Sequence, residues 1–293
     1  MAEPLIHAFR PPKRATPRRW LGWAVLAALL ALSAGWIYLL NIALRQAALW
    51  SGLTLFGVLL FLTAFNARKK LPFLPLLKAS AWMRVHNYAG WFAIGLFLLH
   101  IHPRVPPAHV FRVPRGPLEL WLAALFLAVN ASGIIGLVLS RLLPPRLARH
   151  GEEVLFERLP ALRRQLSAQV ERLMLDSVAQ TQSSTLADFY LTRLKTFFDR
   201  PSDVLWHLLG SDGPLQARLA GLAALDRFFN DKERVIAATL AEQIRAKDNL
   251  DFHFACQGLL KTWLFVHIPL AYSLILVALV HGFLAWSFTH GGR

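Results

Sequence analysis

Residues 263–288 read WLFVHIPLAYSLILVALVHGFLAWSF, 26 positions without a charged side chain. A hydrocarbon core about 30 Å thick is crossed by about 20 apolar residues of helix, so this stretch is long enough to span a bilayer. In lipid a backbone must satisfy its own hydrogen bonds, which makes the segment helical. Two histidines interrupt the run, His267 and His281. An ionisable ring inside an apolar span is costly and marks a position that needs a chemical reason.

Four further segments share this character: 20–44, 49–65, 85–101 and 118–143. The expected fold is therefore all-α, an integral membrane bundle of five transmembrane helices with a cytoplasmic helical insertion before the last. The divisions are a basic cytoplasmic segment 1–19, transmembrane helices 1–4 over 20–143, the insertion 144–262, transmembrane helix 5 over 263–288 and a tail 289–293. Composition agrees. Of 293 residues 55% are apolar and 17% charged, which excludes a disordered chain and is unusual for a soluble domain. A single cysteine, Cys256, excludes a disulfide framework and any thiolate-held zinc or iron–sulfur centre from this chain alone, and is expected as a buried thiol.

The net charge of +15 is unevenly spread. Residues 141–262 hold 17 Lys and Arg against 15 Asp and Glu; the rest of the chain holds 15 against 2. The basic excess sits beside the apolar segments, where topology signals belong, and no nucleic-acid motif accompanies it. Nucleic acid is therefore not an expected partner, and membrane lipid is. Arg10, Lys13, Arg14, Arg18 and Arg19 precede the first span, and Arg68, Lys69, Lys70, Lys78 and Arg84 lie between the second and third. Only Arg45 separates spans 1 and 2, and Arg104, Arg112 and Arg115 separate spans 3 and 4. The positive-inside rule then places the N-terminus in the cytoplasm and the C-terminus outside, as in a bacterial-type inner membrane. Span 1 has features of a signal peptide, including Arg18–Arg19, but its apolar run is too long for an h-region and reads as an anchor.

Pro144–Pro145 is expected to stop span 4. Beyond it, Leu155, Leu159, Leu162, Leu166, Val170 and Leu173 recur at helical spacing. Residues 187–198 and 204–209 read as helices split by Pro201, with Ser202–Asp203 as an N-cap for the second. Residues 210–214 form a turn signal, and 215–246 carry one or two amphipathic helices. The near-balanced charge suits a small helical subdomain or a docking surface. No phosphate-binding loop, flavin or dinucleotide fingerprint occurs.

The histidines give the sharpest signal. His86 and His100 on the third span are 14 apart, and so are His267 and His281 on the fifth. Fourteen residues turn about 1400°, within about 40° of the same helix face, and rise about 21 Å. Each helix thus shows one imidazole near each membrane surface on one side. Two spans separated by one other run in the same direction, so His86 lies level with His267 and His100 with His281. The result is two rungs of paired imidazoles. A haem fits between two facing imidazoles, which fill both axial positions of its iron and favour electron transfer over oxygen chemistry. Zinc wants three or four convergent ligands, and a proton relay does not need equal spacing on two helices.

With these motifs the chain resembles the membrane-embedded dihaem cytochromes b. The likeness is to the ferric-reductase and NADPH-oxidase type of transmembrane domain, and also to the two-helix ladder of quinol-oxidising cytochromes b. It rests on spans 3 and 5; a sixth span and a flavin or nicotinamide domain are not read in this sequence. The resemblance implies two haems b held by His86, His100, His267 and His281, and a membrane subunit passing electrons to or from a soluble or membrane redox partner or quinone.

Supporting residues are read less sharply. Gly90 and Gly95 either make room for a haem face or let helices pack closely. Arg84, Lys69 and Lys70 are candidates for pairing with propionates of the inner haem, Arg104 with those of the outer, and Pro269 for a kink. His102 and His109 are placed in an outer loop. His253 is 14 before His267 and sets a rival register, rejected because Gln257 and Lys261 lie between, though a third haem there stays open. Two other functions also stay open: a haem-free transporter or assembly factor using intramembrane histidines for protons or metal, and a ferric or cupric metalloreductase.

Overall fold

A computed structural model of the chain describes residues 17–43, 45–67, 79–101, 116–148, 150 and 154–290. Among these the fold is all-helical, without a strand. The helices are α1 (Pro17–Ile42), α2 (Ala47–Ala67), α3 (Ala79–Ile101), α4 (Pro117–Leu147), α5 (Leu159–Thr181), α6 (Thr185–Phe189), α7 (Lys195–Asp199), α8 (Val204–Leu209), α9 (Gly213–Ala223) and α10 (Asp231–His290). A π-helical turn, Tyr190–Leu194, joins α6 to α7. The chain forms two compact units, 1–134 with 267–293, and 135–266.

Four described helices are long and apolar enough to cross a membrane: Trp20–Ile42, Ala47–Ala64, Pro117–Leu147 and the apolar part of Asp231–Phe288. This marks the chain as a membrane protein. The third expected span is a helix of 23 residues but is not among the four. Arg84, His86, Asn87, Tyr88 and His100 depress its hydropathy.

The first unit is built around α3. Leu55 and Leu59 of α2, Ala93 and Leu96 of α3, Phe126 of α4 and Leu274 of α10 form one buried cluster. Phe97 stacks on Phe126 at 4.1 Å between ring centres. On the other side α1 meets α3, where Trp23 packs edge-on to Tyr88 at 5.6 Å.

The second unit has its own core. Leu166, Val170 and Met174 of α5 meet Leu186, Tyr190, Leu194, Phe197 and Phe198, with Leu240 and Ile244 of α10 closing it. The expected α5 stripe is entered at Leu159, which is buried, whereas Leu155 stands before the helix and is exposed. Asn230 and Glu233 start α10 with a reciprocal capping box: the Glu233 N–H donates to Asn230 Oδ1 at 2.8 Å, and the Asn230 N–H to Glu233 Oε2 at 2.9 Å.

Three local expectations change. α4 does not stop at Pro144–Pro145 but runs on to Leu147. Two prolines in a last turn forfeit only two donors, and the carbonyl of Pro144 still accepts from the N–H of Ala148 at 3.0 Å. Asp203 does precede α8, yet its side chain does not cap the helix; it has a left-handed φ of 57° and pairs with Arg218 at 2.6 Å. The helix expected within 215–246 and the last span are one unbroken helix of 60 residues. The polar residues between them, Lys247, Asp248, Asp251, Gln257 and Lys261, are ordinary helix formers that find partners within the second unit, so nothing ends the helix there. It also passes through Pro269, which removes one donor.

Candidate functional site

The expected outer pair is brought together. His100 of α3 and His281 of α10 stand with ring centres 6.4 Å apart and planes nearly perpendicular, at 85°. His86 and His267 lie within electrostatic reach of one another. All four rings are half-buried.

Buried apolar residues lie between the two pairs in sequence. Ala93 lies midway between His86 and His100 in sequence, and Leu274 midway between His267 and His281. Both belong to the buried cluster, with Leu96, and each is at most 2% exposed. The two rungs are therefore separate sites divided by an apolar plug.

One histidine of each rung is held by a serine that sequence reading did not identify. His100 Nδ1 lies 3.0 Å from Ser51 Oγ of α2. The Ser51 hydroxyl also lies 3.0 Å from the Ala48 carbonyl; when it donates there, its oxygen accepts from the imidazole N–H. His267 Nδ1 lies 3.3 Å from Ser132 Oγ of α4. Both serines are buried. An N–H held on Nδ1 leaves the lone pair of His100 on Nε2, the form in which an imidazole binds a metal. Gly52 gives His100 its space: a Cβ there would come within 2.9 Å of Cε1 of the ring. No signal in the sequence separates Ser51 from Ser33, whose hydroxyl simply bonds the Leu29 carbonyl one turn back.

The supporting residues fall differently. At Gly95 a Cβ would meet the Leu30 side chain of α1, so this glycine lets α1 approach α3. Gly90 has open space within 4 Å of a Cβ. Arg84 is exposed on α3, two residues before His86. Arg104, Lys69, Lys70, His102 and His109 lie outside the described residues. His253 belongs to the second unit, is 2% exposed and has both ring nitrogens engaged: Nε2 with the His150 carbonyl at 3.1 Å, and Nδ1 with Gln257 Nε2 at 3.4 Å. Those contacts give it a structural role. Cys256 is fully buried beside Leu143 and Phe252. Among the described residues no three His, Cys, Asp or Glu converge as a metal-ion cage.

The ring spacing can be set against that of two imidazoles sharing one metal. An imidazole nitrogen binds a metal at about 2.0 Å, and the ring centre lies about 1.1 Å behind that nitrogen. Two rings sharing one metal therefore have centres about 6.2 Å apart, against 6.4 Å between His100 and His281. Comparison of the chain with protein families, curated proteins and solved structures found no match.

Proposed function

We propose that this chain is a dihaem b-type cytochrome, the membrane subunit of a redox complex, with His86 and His267 holding one haem and His100 and His281 the other. The observation that carries the reading is the 6.4 Å separation of His100 and His281. Haem, when bound, supplies a one-electron couple. The protein's part is to fix the ligands, exclude water and hold the two sites apart. Ser51 and Ser132 anchor the ligand rings, and the plug of Ala93, Leu96 and Leu274 lies between the rungs. That plug favours electron passage over a proton or ion pathway, which would need polar groups or water across the gap.

In this reading α3 also crosses the membrane, as the third of five spans, with His86, Asn87, Tyr88 and His100 partly buried and Arg84 exposed, and the N-terminus is cytoplasmic. The second unit, with its own core, then lies on the cytoplasmic side, where a redox partner docks. The chain exchanges electrons with that partner on one side and with quinone or a second partner on the other.

The test is purification in mild detergent, followed by reduced-minus-oxidised spectra and a haem count per chain. Two low-spin b-type haems are expected. His100→Ala and His281→Ala should each remove the same one, and His86→Ala and His267→Ala the other. A colourless protein expressed with ample haem would sink the proposal and return the histidines to proton or metal-ion chemistry.

A further inference from the structure

The short helix α8 is apolar on two sides. Its inner side is His207, 6% exposed, and Leu208, which packs on the cluster of Leu143, Phe252 and Cys256. Its outer side is Leu205, Trp206 and Leu209, which are 74%, 52% and 76% exposed. These positions are i, i+1 and i+4 and share one helix face. A helix lying on a water-facing subdomain would carry polar residues there.

The depth of α8 follows from α4. The Arg146 guanidinium donates to the Leu208 carbonyl at 3.0 Å, and Leu208 itself packs at the level of Leu143. The charge-free run of α4 ends at the exposed Arg141, and Leu143 and Arg146 lie two and five residues on, about 3 and 7.5 Å further along the axis. The headgroup layer on each side of the hydrocarbon is about 5–7 Å thick. α8 is thus tied where hydrocarbon gives way to headgroups, the depth at which tryptophan is enriched. Leu191 stands singly on the π-turn, and Leu175 of α5 has only the less exposed Val178 beside it, without an aromatic ring.

We infer that α8 is an interfacial anchor: Leu205, Trp206 and Leu209 insert at the headgroup–acyl boundary of the bilayer and hold the helical unit against the membrane surface. The inference rests on α4 crossing the bilayer and is independent of any cofactor. The lipid surface is the occupant because α8 is fastened to the end of an apolar helix at that depth.

The test uses nitroxide labels at Leu205→Cys and Leu209→Cys in the full chain, reconstituted into phosphatidylcholine–phosphatidylglycerol vesicles. Leu175→Cys serves as the water reference and Leu276→Cys, on the apolar part of α10, as the lipid reference. The native protein sets the background, since Cys256 is fully buried. Labels at 205 and 209 should collide with oxygen in preference to a water-soluble nickel complex, with nickel collision several-fold below that at 175. Water-like values at 205 and 209 beside lipid-like values at 276 would overturn the anchor alone. Shielding of 205 and 209 from both reagents would overturn it in favour of a protein occupant. Water-like values at 276 would bring down the membrane reading and the anchor together.

Discussion

Replacing Lys247 by methionine should unfold much of the helical unit's margin of stability. Lys247 is fully buried; its ammonium donates to Asp251 Oδ2 one turn on and to the Arg200 carbonyl at 3.0 Å, and lies 4.6 Å from the centre of the Phe197 ring. Asp251 is 1% exposed and also accepts the Ser202 N–H at 3.1 Å. Methionine fills the volume but leaves a buried carboxylate without its cation, which costs about 3–5 kcal/mol. Lys247→Met with Asp251→Asn removes that charge and keeps an oxygen for Ser202, leaving only the Arg200 carbonyl unmet, a cost of about 1–3 kcal/mol. The double variant should therefore be more stable than the single one, a sign reversal that packing loss cannot produce. Urea denaturation in detergent, followed by circular dichroism and protease resistance, measures both. A single variant costing under about 1 kcal/mol, or a double variant costing the sum of its parts, would refute the reasoning.

Other outcomes follow from the same geometry. Burial raises the Asp248 carboxyl to about 6. A folded-state value above the ordinary 3.8 means stability is full below about pH 4 and falls as pH rises to 6. Asp248→Asn should thus leave stability at pH 4 nearly unchanged and add about 1–2 kcal/mol at pH 8, read by denaturation across pH. Nearby, burial lowers the His207 value, so its contribution runs the other way and is lost as pH falls below the ordinary 6.5; the Asp248→Asn variant should show this as stability rising with pH. At Gly136 a Cβ would lie 1.9 Å from Trp263, so Gly136→Ala should cost about 1–3 kcal/mol in thermal denaturation, and Trp263→Leu should recover part of it. Ser51→Ala should weaken retention of one haem about 10–100-fold, measured by transfer to an apo-globin, while leaving the other in place.

The long apolar runs and the 14-residue intervals were legible because both follow from helix geometry alone. Hydropathy was misleading at α3, where the residues that give the helix its interest also lower its apolarity. It misled again at α10: Lys247, Asp248 and Asp251 look like a solvated face, and only the tertiary placement of Phe197 and Arg200 shows that they are buried. Pro144 and Pro145 read as a stop because a missing donor matters in mid-helix; in a final turn it matters little. Ser51 and Ser132 were illegible for a different reason. A serine in an apolar helix usually bonds its own backbone, and only a neighbouring helix decides whether its oxygen meets an imidazole.

Each rung draws one ring from α3 and one from α10, and 167 positions separate His100 from His267. At about 5–20 residues per second, a nascent chain carries the two α3 histidines for roughly ten to thirty seconds before their counterparts are made. During that interval the residues of the second unit's core emerge in full. In the proposed reading both rungs are completed only once α10 has been made, so ligand loading waits on that helix. A nascent chain stalled before His267 has neither rung, however well its earlier helices have inserted.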